Sequence, residues 1–222
     1  PRPADWPAWA VATGFWPLPA TDAWQPPEAL ARFLAAGAAP VYIGFGSMKS
    51  SDPAALTRLA IAALTAAGVR GVVATGWGAM GPTADLPESV FVLERAPHSW
   101  LFPRMAAVVH HGGAGTTAAG LLAGKPAIVC PFFADQPFWG QRVFQLGVGS
   151  EPIPQARLTA DRLAAAITLV ISDTQIRERA TSLGERLRAE DGAAAAVVQL
   201  EARARGSVGP GCRSRAGPRP CW

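Results

Sequence analysis

Five short apolar runs alternate along this chain with segments of helical character, and this order limits the fold more than any other feature. The runs lack the apolar–polar alternation of a strand that has one face in water. Uninterrupted apolar runs are typical of strands in a parallel sheet whose two faces are covered by helices. The predicted strands are Val41–Phe45, Gly71–Thr75, Val90–Leu93, Ala107–His110 and Ala127–Pro131. The order predicts an α/β fold, a Rossmann-like open parallel sheet with helices on both faces.

Helix signals fill the gaps between these runs and follow the last one. Asp52 can cap a helix that has Pro53 at its first position. The predicted helices are Pro53–Ala67, Trp100–Met105, Thr116–Ala123, Pro137–Leu146, Thr159–Ile171 and Asp173–Glu190. We expect one domain at residues 29–202, after an N-terminal arm or interdomain linker at residues 1–28. The tail at residues 203–222 is of low complexity and is expected to be disordered.

The formal charge of +4 does not indicate nucleic-acid binding. Five arginines and no acidic residue lie in the tail at residues 203–222, and the rest of the chain carries 15 basic and 16 acidic residues. The three cysteines form no metal-binding pattern and no disulfide framework, and Cys130 lies in an apolar strand. No apolar run reaches the ~18 residues of a membrane span, and the first residues lack the pattern of a signal peptide. We therefore expect a cytoplasmic protein.

The segment His110–Gln136 carries the chemistry of this sequence. Gly113 and Gly115 follow the fourth strand and open a helix, where glycine lets the backbone approach a ligand closely. The free N–H groups at a helix start face an anion, and Thr116 adds a hydroxyl donor there. His111, at the end of the strand, can donate to a phosphate oxygen. Together these residues predict a cradle for a diphosphate.

Polar residues also follow three other strands and are expected at the same carboxyl edge of the sheet. Asp135 and Gln136 come after the fifth strand, and an acid beside an amide suits neighbouring sugar hydroxyls. Ala96 and His98 follow the third strand, where they can meet a base or ribose. Ser47 follows the first strand and offers a second place for a phosphate or an acceptor.

A dinucleotide fingerprint is the rival interpretation. Gly113-x-Gly115-x-x-Ala118 matches G-x-G-x-x-G/A, and Asp135 lies about 20 residues further on. The match lies on the fourth strand instead of the opening βαβ unit. It also leaves two features unexplained, the adjacent His110 and His111 and the pair of Asp135 and Gln136. An NAD-binding oxidoreductase domain is therefore the less favoured alternative.

The stretch HHGGAGTTAAGLLAGKPAIVCPFFADQPFWGQRV resembles the nucleotide-sugar signature of family 1, UDP-dependent glycosyltransferases. It is most similar to sterol 3β-glucosyltransferases, and ATGFWPL and RAPHSWLFPRMAAVVHHGG extend the resemblance over residues 11–200. The resemblance implies the C-terminal, donor-binding half of a two-domain GT-B fold. It implies roles for these residues: His111 at the diphosphate, Gly113, Gly115, Thr116 and Ser47 at the phosphates, Asp135 and Gln136 at the sugar hydroxyls, and Ala96 and His98 at the uracil.

By this resemblance, the whole enzyme is an inverting hexosyltransferase of lipid glycosylation. It would transfer a hexose, with UDP-glucose as the expected donor, to a hydroxyl of a sterol or another hydrophobic molecule. The acceptor and the catalytic base would belong to an N-terminal domain, so no catalytic residue is predicted in this chain. Neither a cofactor nor a metal is expected, and the full enzyme would make peripheral contact with a membrane.

Three points stay open at the level of sequence. The base of the donor, UDP or TDP, and its sugar are not determined. Plant relatives carry a ribose-binding Glu where this chain has Ala119, so its recognition of ribose must differ. As an isolated domain, the chain is alternatively a sugar-nucleotide binding module without turnover.

Overall fold

The computed structural model describes residues 4–17, 24–48, 52–76, 80 and 86–206. The chain divides into two compact units, with boundaries after Leu18 and after Ala189. The larger unit contains a sheet of five strands: β1 Val41–Gly44, β2 Gly71–Ala74, β3 Val90–Leu93, β4 Ala107–His110 and β5 Ala127–Val129. Each predicted strand is confirmed. Three of them end one or two residues earlier than predicted, because their last residues already belong to the loops.

The sheet is parallel throughout and has the order β3-β2-β1-β4-β5. The chain runs from β1 outward to β3, crosses back, and continues on the other side of β1 with β4 and β5. Gly44 at the end of β1 lies opposite His110 at the end of β4. Such a reversal of strand order opens a crevice outside the carboxyl ends of the two strands, where α/β proteins bind ligands.

Seven α-helices of the described residues surround this sheet: α1 Glu28–Ala35, α2 Pro53–Ala66, α3 His98–Leu101, α4 Ala114–Leu122, α5 Gln136–Gln145, α6 Ala160–Ser172 and α7 Thr174–Arg188. Asp52 caps α2 as predicted, since its Oδ1 accepts from the backbone N–H of Ala55 at 2.8 Å. Thr159 and Asp173 are caps rather than helical residues, because their side chains accept from the first turns of α6 and α7.

Two helix predictions need correction, and one helix around the sheet was not predicted. The segment predicted as a helix at Trp100–Met105 is α3, which starts at His98, followed by a 3₁₀ turn over Phe102–Arg104 that contains Pro103. Helix α4 starts two residues before the predicted Thr116, since Gly113 is its N-cap. Helix α1 was not predicted, although its apolar residues lie on one face and its Leu30 is buried.

Apolar side chains cover both faces of the sheet, as the uninterrupted runs predicted. One face packs against α2 and α6 through Val41, Ile43, Phe45, Leu64, Val109, Ile128, Leu163 and Ile167. The other face packs against α1 and α3 through Leu30, Tyr42, Val72, Leu93, Leu101, Phe102 and Val108. Because helices cover both faces of the sheet, a ligand of this unit can reach the strand ends but not the surface of the sheet.

The smaller unit contains α8, Gly192–Gly206, which was not predicted. Asp191 caps it by accepting from the N–H of Ala194 at 2.8 Å. Arg203 in its last turns donates to the carbonyl of Trp9 in the N-terminal segment. The rest of the predicted tail, residues 207–222, lies outside the described residues. The predicted domain at residues 29–202 stays a proposal.

Among the described residues, none of the helices combines the length and the apolarity that a membrane crossing needs.

Candidate functional site

Three loops meet at the carboxyl edge of the sheet. The turn after β1 contains Gly46 and Ser47, the turn after β4 contains His111 and Gly113, and the loop after β5 leads to Asp135. The turn after β1 is closed by a bond from the N–H of Met48 to the carbonyl of Phe45 at 3.2 Å. Ser47 is exposed in this turn.

The ring of His111 lies between the turn after β1 and the start of α4. A Cβ atom at Gly113 would lie 2.5 Å from Nε2 of His111, and one at Gly46 would lie 3.0 Å from its Cε1. Gly46 also has a φ of +61°, which side-chain-bearing residues rarely adopt. Both glycines are therefore required by the position of the His111 ring, apart from any ligand.

Burial and one carboxylate act in opposite directions on His111. Its side chain is 9% exposed, and within the described part of the chain its buried Nδ1 has no hydrogen-bond partner. Burial lowers the pKa of His111, and the charge of Asp135 raises it in part. The ring is therefore neutral at pH 7 and carries one N–H that it can donate to a ligand oxygen.

The N-terminus of α4 faces the same crevice. Its first helical bond runs from the N–H of Thr117 to the carbonyl of Gly113 at 2.9 Å, so the N–H groups of Ala114, Gly115 and Thr116 point out of the helix. A Cβ atom at Gly115 would meet no described atom within 4 Å. Internal packing gives no reason for glycine at this position, whereas a ligand at the helix start does.

Gln136 ties two of the three loops together. Its Oε1 accepts from the backbone N–H groups of Phe132 at 2.8 Å and Phe133 at 3.2 Å. Its Nε2 donates to Sδ of Met48 in the turn after β1 at 3.2 Å. The side chain is 4% exposed. Sequence reasoning gave Gln136 a sugar contact and missed this structural role, since nothing local in the sequence places Met48 beside it.

The carboxylate of Asp135 is exposed and held from one side. Its Oδ2 accepts from Nε1 of Trp139 at 2.8 Å, one helical turn further along α5. Asp135 stands at the N-cap of α5, but within the described chain its side chain makes no capping bond. The preceding residue, Ala134, has a φ of 57°, a backbone strain that fixes the turn of this loop.

His98 lies on the Tyr42 side of the same edge. It opens α3 and stacks on Phe102, with ring centroids 4.3 Å apart and an angle of 14° between planes. Burial, and secondarily the charge of His111, lower its pKa. Ala96 is half-buried against the same cluster. The fold thus brings His98 and His111 close enough to influence each other.

His110 completes the histidine cluster from a fully buried position. Its Nδ1 accepts from the backbone N–H of Gly112 at 3.0 Å. Burial, followed by the charges of His111 and His98, lowers its pKa to about 3. In the described part of the chain, no three His, Cys, Asp or Glu side chains are grouped as ligands for a metal ion.

A known protein family matches most of this chain. A family model described as "Erythromycin biosynthesis protein CIII-like, C-terminal domain" matches residues 60–202. The chain is 43% identical over 197 residues to the sterol 3-beta-glucosyltransferase UGT80A2 of Arabidopsis thaliana, covering 89% of this chain and 31% of that protein. It is 44% identical over 211 residues to a sterol 3-beta-glucosyltransferase of Emericella nidulans, covering 90% of this chain and 15% of that protein. The chain thus spans about a third or less of these relatives.

Solved structures show the same fold. The glycotransferase of kitacinnamycin superposes with a TM-score of 0.66 at 27% identity, covering 83% of this chain and 47% of that one. UGT71G1 of Medicago truncatula, solved with UDP-glucose, gives a TM-score of 0.64 at 18% identity, covering 82% and 43%. The predicted fold, the C-terminal half of a GT-B glycosyltransferase, is confirmed.

Proposed function

This chain belongs to the family of erythromycin biosynthesis protein CIII-like C-terminal domains, and from that premise we propose that it binds the sugar-nucleotide donor of an inverting, UDP-dependent glycosyltransferase. The observation that carries the proposal is the position of His111. Its ring lies at the switch point between β1 and β4, beside the open N-terminus of α4. This is where an α/β fold offers an anion both a side-chain donor and backbone donors.

The diphosphate of the donor would lie between His111 and α4. One N–H of the neutral imidazole and the backbone N–H groups of Gly115 and Thr116 would donate to its oxygens. Gly113 and Gly115 would let the phosphates approach the backbone, and Ser47 would reach them from the turn after β1. This assignment accounts for Gly115, whose Cβ position is open.

The sugar would lie against the loop after β5. Asp135 would accept from two neighbouring hydroxyls while Trp139 holds its carboxylate in place. Gln136 would add at most its remaining Nε2–H, because its Oε1 is engaged by two backbone N–H groups. Ala96 and His98 would lie at the base of the nucleotide.

The site would accelerate the reaction by stabilising the leaving UDP more strongly in the transition state than in the bound donor. In the whole enzyme, a base of the N-terminal domain would take the proton of the acceptor hydroxyl. The hydroxyl oxygen would form a bond to the anomeric carbon as the bond from that carbon to the UDP oxygen breaks. The charge that grows on UDP would be met by preorganised donors at α4 and His111. The sterol 3-beta-glucosyltransferase relatives support glucose as the sugar and a sterol or similar alcohol as the acceptor.

A cytoplasmic location of the protein belongs to the same proposal. Its support is the cysteine pattern, since the three cysteines form no disulfide framework and Cys130 is a free, buried thiol.

Calorimetric titration of the 222-residue chain with UDP and UDP-glucose tests the donor site. We expect saturable binding of both, tighter for UDP-glucose, and amide chemical-shift changes at residues 111–117. TDP-glucose serves as the comparison for the base, and His111→Ala as the control for the site. The absence of saturable heat and of shift changes would falsify the proposal.

A second candidate is a binding module without turnover. It follows from the family resemblance, which places the catalytic base in an N-terminal domain. The chain alone would then bind UDP-glucose but transfer no glucose to a sterol, and measurable transfer by the isolated chain would contradict this. The NAD-binding alternative predicts NAD binding in preference to UDP, so competition between the two ligands distinguishes it.

A further inference from the structure

We propose that His110 is a positioning residue for the donor site, which holds the turn between β4 and α4 through its neutral Nδ1. The effect on donor binding rests on the proposed function, whereas the hydrogen bond that holds the turn is a contact within the chain. The N–H of Gly112 donates to Nδ1 of His110 at 3.0 Å, two residues back and fully buried.

The turn needs this acceptor because Gly112 has little room. Its φ is +93°, and a Cβ atom there would lie 2.7 Å from Cγ1 of Val129 and 3.0 Å from the carbonyl oxygen of Gln136. Gly112 follows the end of β4 and precedes the N-cap of α4, so neither the sheet ladder nor the helix supplies an acceptor for its N–H. A buried N–H without a partner is costly, and the His110 ring removes that cost.

The backbone of His110 is itself fixed on both sides. Its carbonyl accepts from the N–H of Cys130 at 2.8 Å, and its Cα lies in register with Gly44 of β1. The ring therefore leaves the sheet from a defined point and reaches back to Gly112. The next residues along this turn are His111 and Gly113, which the proposed function places at the diphosphate.

The bond selects one form of the ring. Nδ1 accepts only if it carries no proton, so the neutral tautomer with its proton on Nε2 is required. That Nε2–H is buried and, among the described residues, has no partner. A residue that served packing alone would be better replaced by an apolar ring of the same size. The unpartnered donor is thus the consequence of keeping the acceptor on the opposite side of the ring.

Two substitutions separate positioning from packing. His110→Phe keeps the buried ring and deletes the acceptor, whereas His110→Asn is smaller but keeps an acceptor oxygen near the position of Nδ1. We expect His110→Phe to lower the thermal midpoint, because the buried N–H of Gly112 loses its acceptor. The variant should also bind UDP about tenfold more weakly, because the turn that carries His111 is no longer held in place. His110→Asn should recover most of this loss, although it packs worse.

Titration of UDP into the three proteins gives distinct outcomes. If the wild type binds UDP and His110→Phe binds it equally well, the positioning role is overturned and the proposed function stands. If His110→Asn binds as weakly as His110→Phe, the ring rather than the acceptor matters, and the inference is again overturned. If the wild type does not bind UDP, it is the proposed function that fails.

Nuclear magnetic resonance of the wild type tests the inference without any ligand. The ¹⁵N shifts of His110 should show an unprotonated Nδ1 and a protonated Nε2 at pH 5 to 8, and the amide of Gly112 should exchange slowly with solvent. A proton on Nδ1, or a Gly112 amide that exchanges as fast as an exposed one, would contradict the proposed bond. This readout also decides the question if His110→Phe does not fold.

Discussion

The three glycines between the end of β4 and the first turn of α4 are present for different reasons, and the difference can be measured. Gly112 and Gly113 are required inside the protein, by Val129 and by the ring of His111, respectively. Gly115 is not, because a Cβ there meets open space within the described structure. The same residue type therefore reports packing at two positions and, in our proposal, a ligand at the third.

The substitution Gly115→Ala should separate binding from stability. Alanine favours helix by up to about 1 kcal/mol over glycine, so the free energy of unfolding should stay the same or rise. Affinity for UDP should fall about tenfold, because the added methyl group keeps the phosphates from the backbone. Urea denaturation and calorimetric titration measure the two effects.

Gly113→Ala is the matched control. Its Cβ would lie 2.5 Å from Nε2 of His111, so we expect a loss of about 1–3 kcal/mol in the free energy of unfolding. If Gly115→Ala destabilised the protein as much as Gly113→Ala, our separation of the two glycines would be wrong.

The buried His110 should make the protein sensitive to acid. Its folded-state pKa is lowered from 6.5 to about 3. Below pH 6.5 this histidine therefore binds a proton in the unfolded chain but not in the folded chain. The contribution of His110 to the free energy of unfolding is therefore fully present above pH 6.5. It falls by about 1.4 kcal/mol per pH unit as the pH is lowered from 6.5 toward 3. Urea unfolding measured from pH 4 to 7 should show this slope, and His110→Phe should reduce it. An unchanged slope in the variant would exclude His110 as its source.

At the scale of elements, the loop between β5 and α5 is held by one amide and presents one acid. Gln136 bonds to the loop backbone and to Met48, while Asp135 stays exposed beside Trp139. Two adjacent polar residues that look equivalent in the sequence thus have different tasks. One shapes the loop, and the other is available to a ligand.

Substitutions at these two positions should act on different quantities. Gln136→Leu leaves two backbone N–H groups without an acceptor and should lower the free energy of unfolding by about 1–3 kcal/mol. Asp135→Asn should leave stability and UDP affinity unchanged and remove the extra affinity for UDP-glucose over UDP. Denaturation and parallel titrations with the two ligands check both. An Asp135→Asn protein that still prefers UDP-glucose would exclude Asp135 as the sugar contact.

At the scale of the whole molecule, the proposed donor site is assembled from the ends of four strands of one parallel sheet, β1, β3, β4 and β5. Ligand binding to such a site stabilises the folded state as a whole. At a UDP concentration of about 100 times Kd, the free energy of unfolding should rise by about 2.7 kcal/mol. Thermal unfolding with UDP, UDP-glucose and NAD should show an upward shift for the first two only. A shift with NAD alone would favour the dinucleotide alternative.

Much of this fold was predictable from local patterns. Uninterrupted apolar runs gave all five strands, and capping residues such as Asp52 marked helix starts. Helices α1 and α8 were not predicted. Helix α1 has only eight residues and directly follows two prolines, and α8 is mostly exposed, so its sequence lacks an apolar stripe. The start of α4 was misplaced by two residues, since a glycine N-cap carries no side-chain signal.

The sequence by itself determined where the five strands lie to within two residues, that polar and glycine residues follow them, and the family resemblance. These properties depend on local periodicity and residue chemistry, which the chain carries without folding. Only the tertiary structure decided that β1 and β4 are neighbours, that His111 fits between Gly46 and Gly113, and that Gln136 bonds to Met48. Those contacts join residues far apart in the chain, and they exist because strand order and core packing bring separate loops to one edge of the sheet.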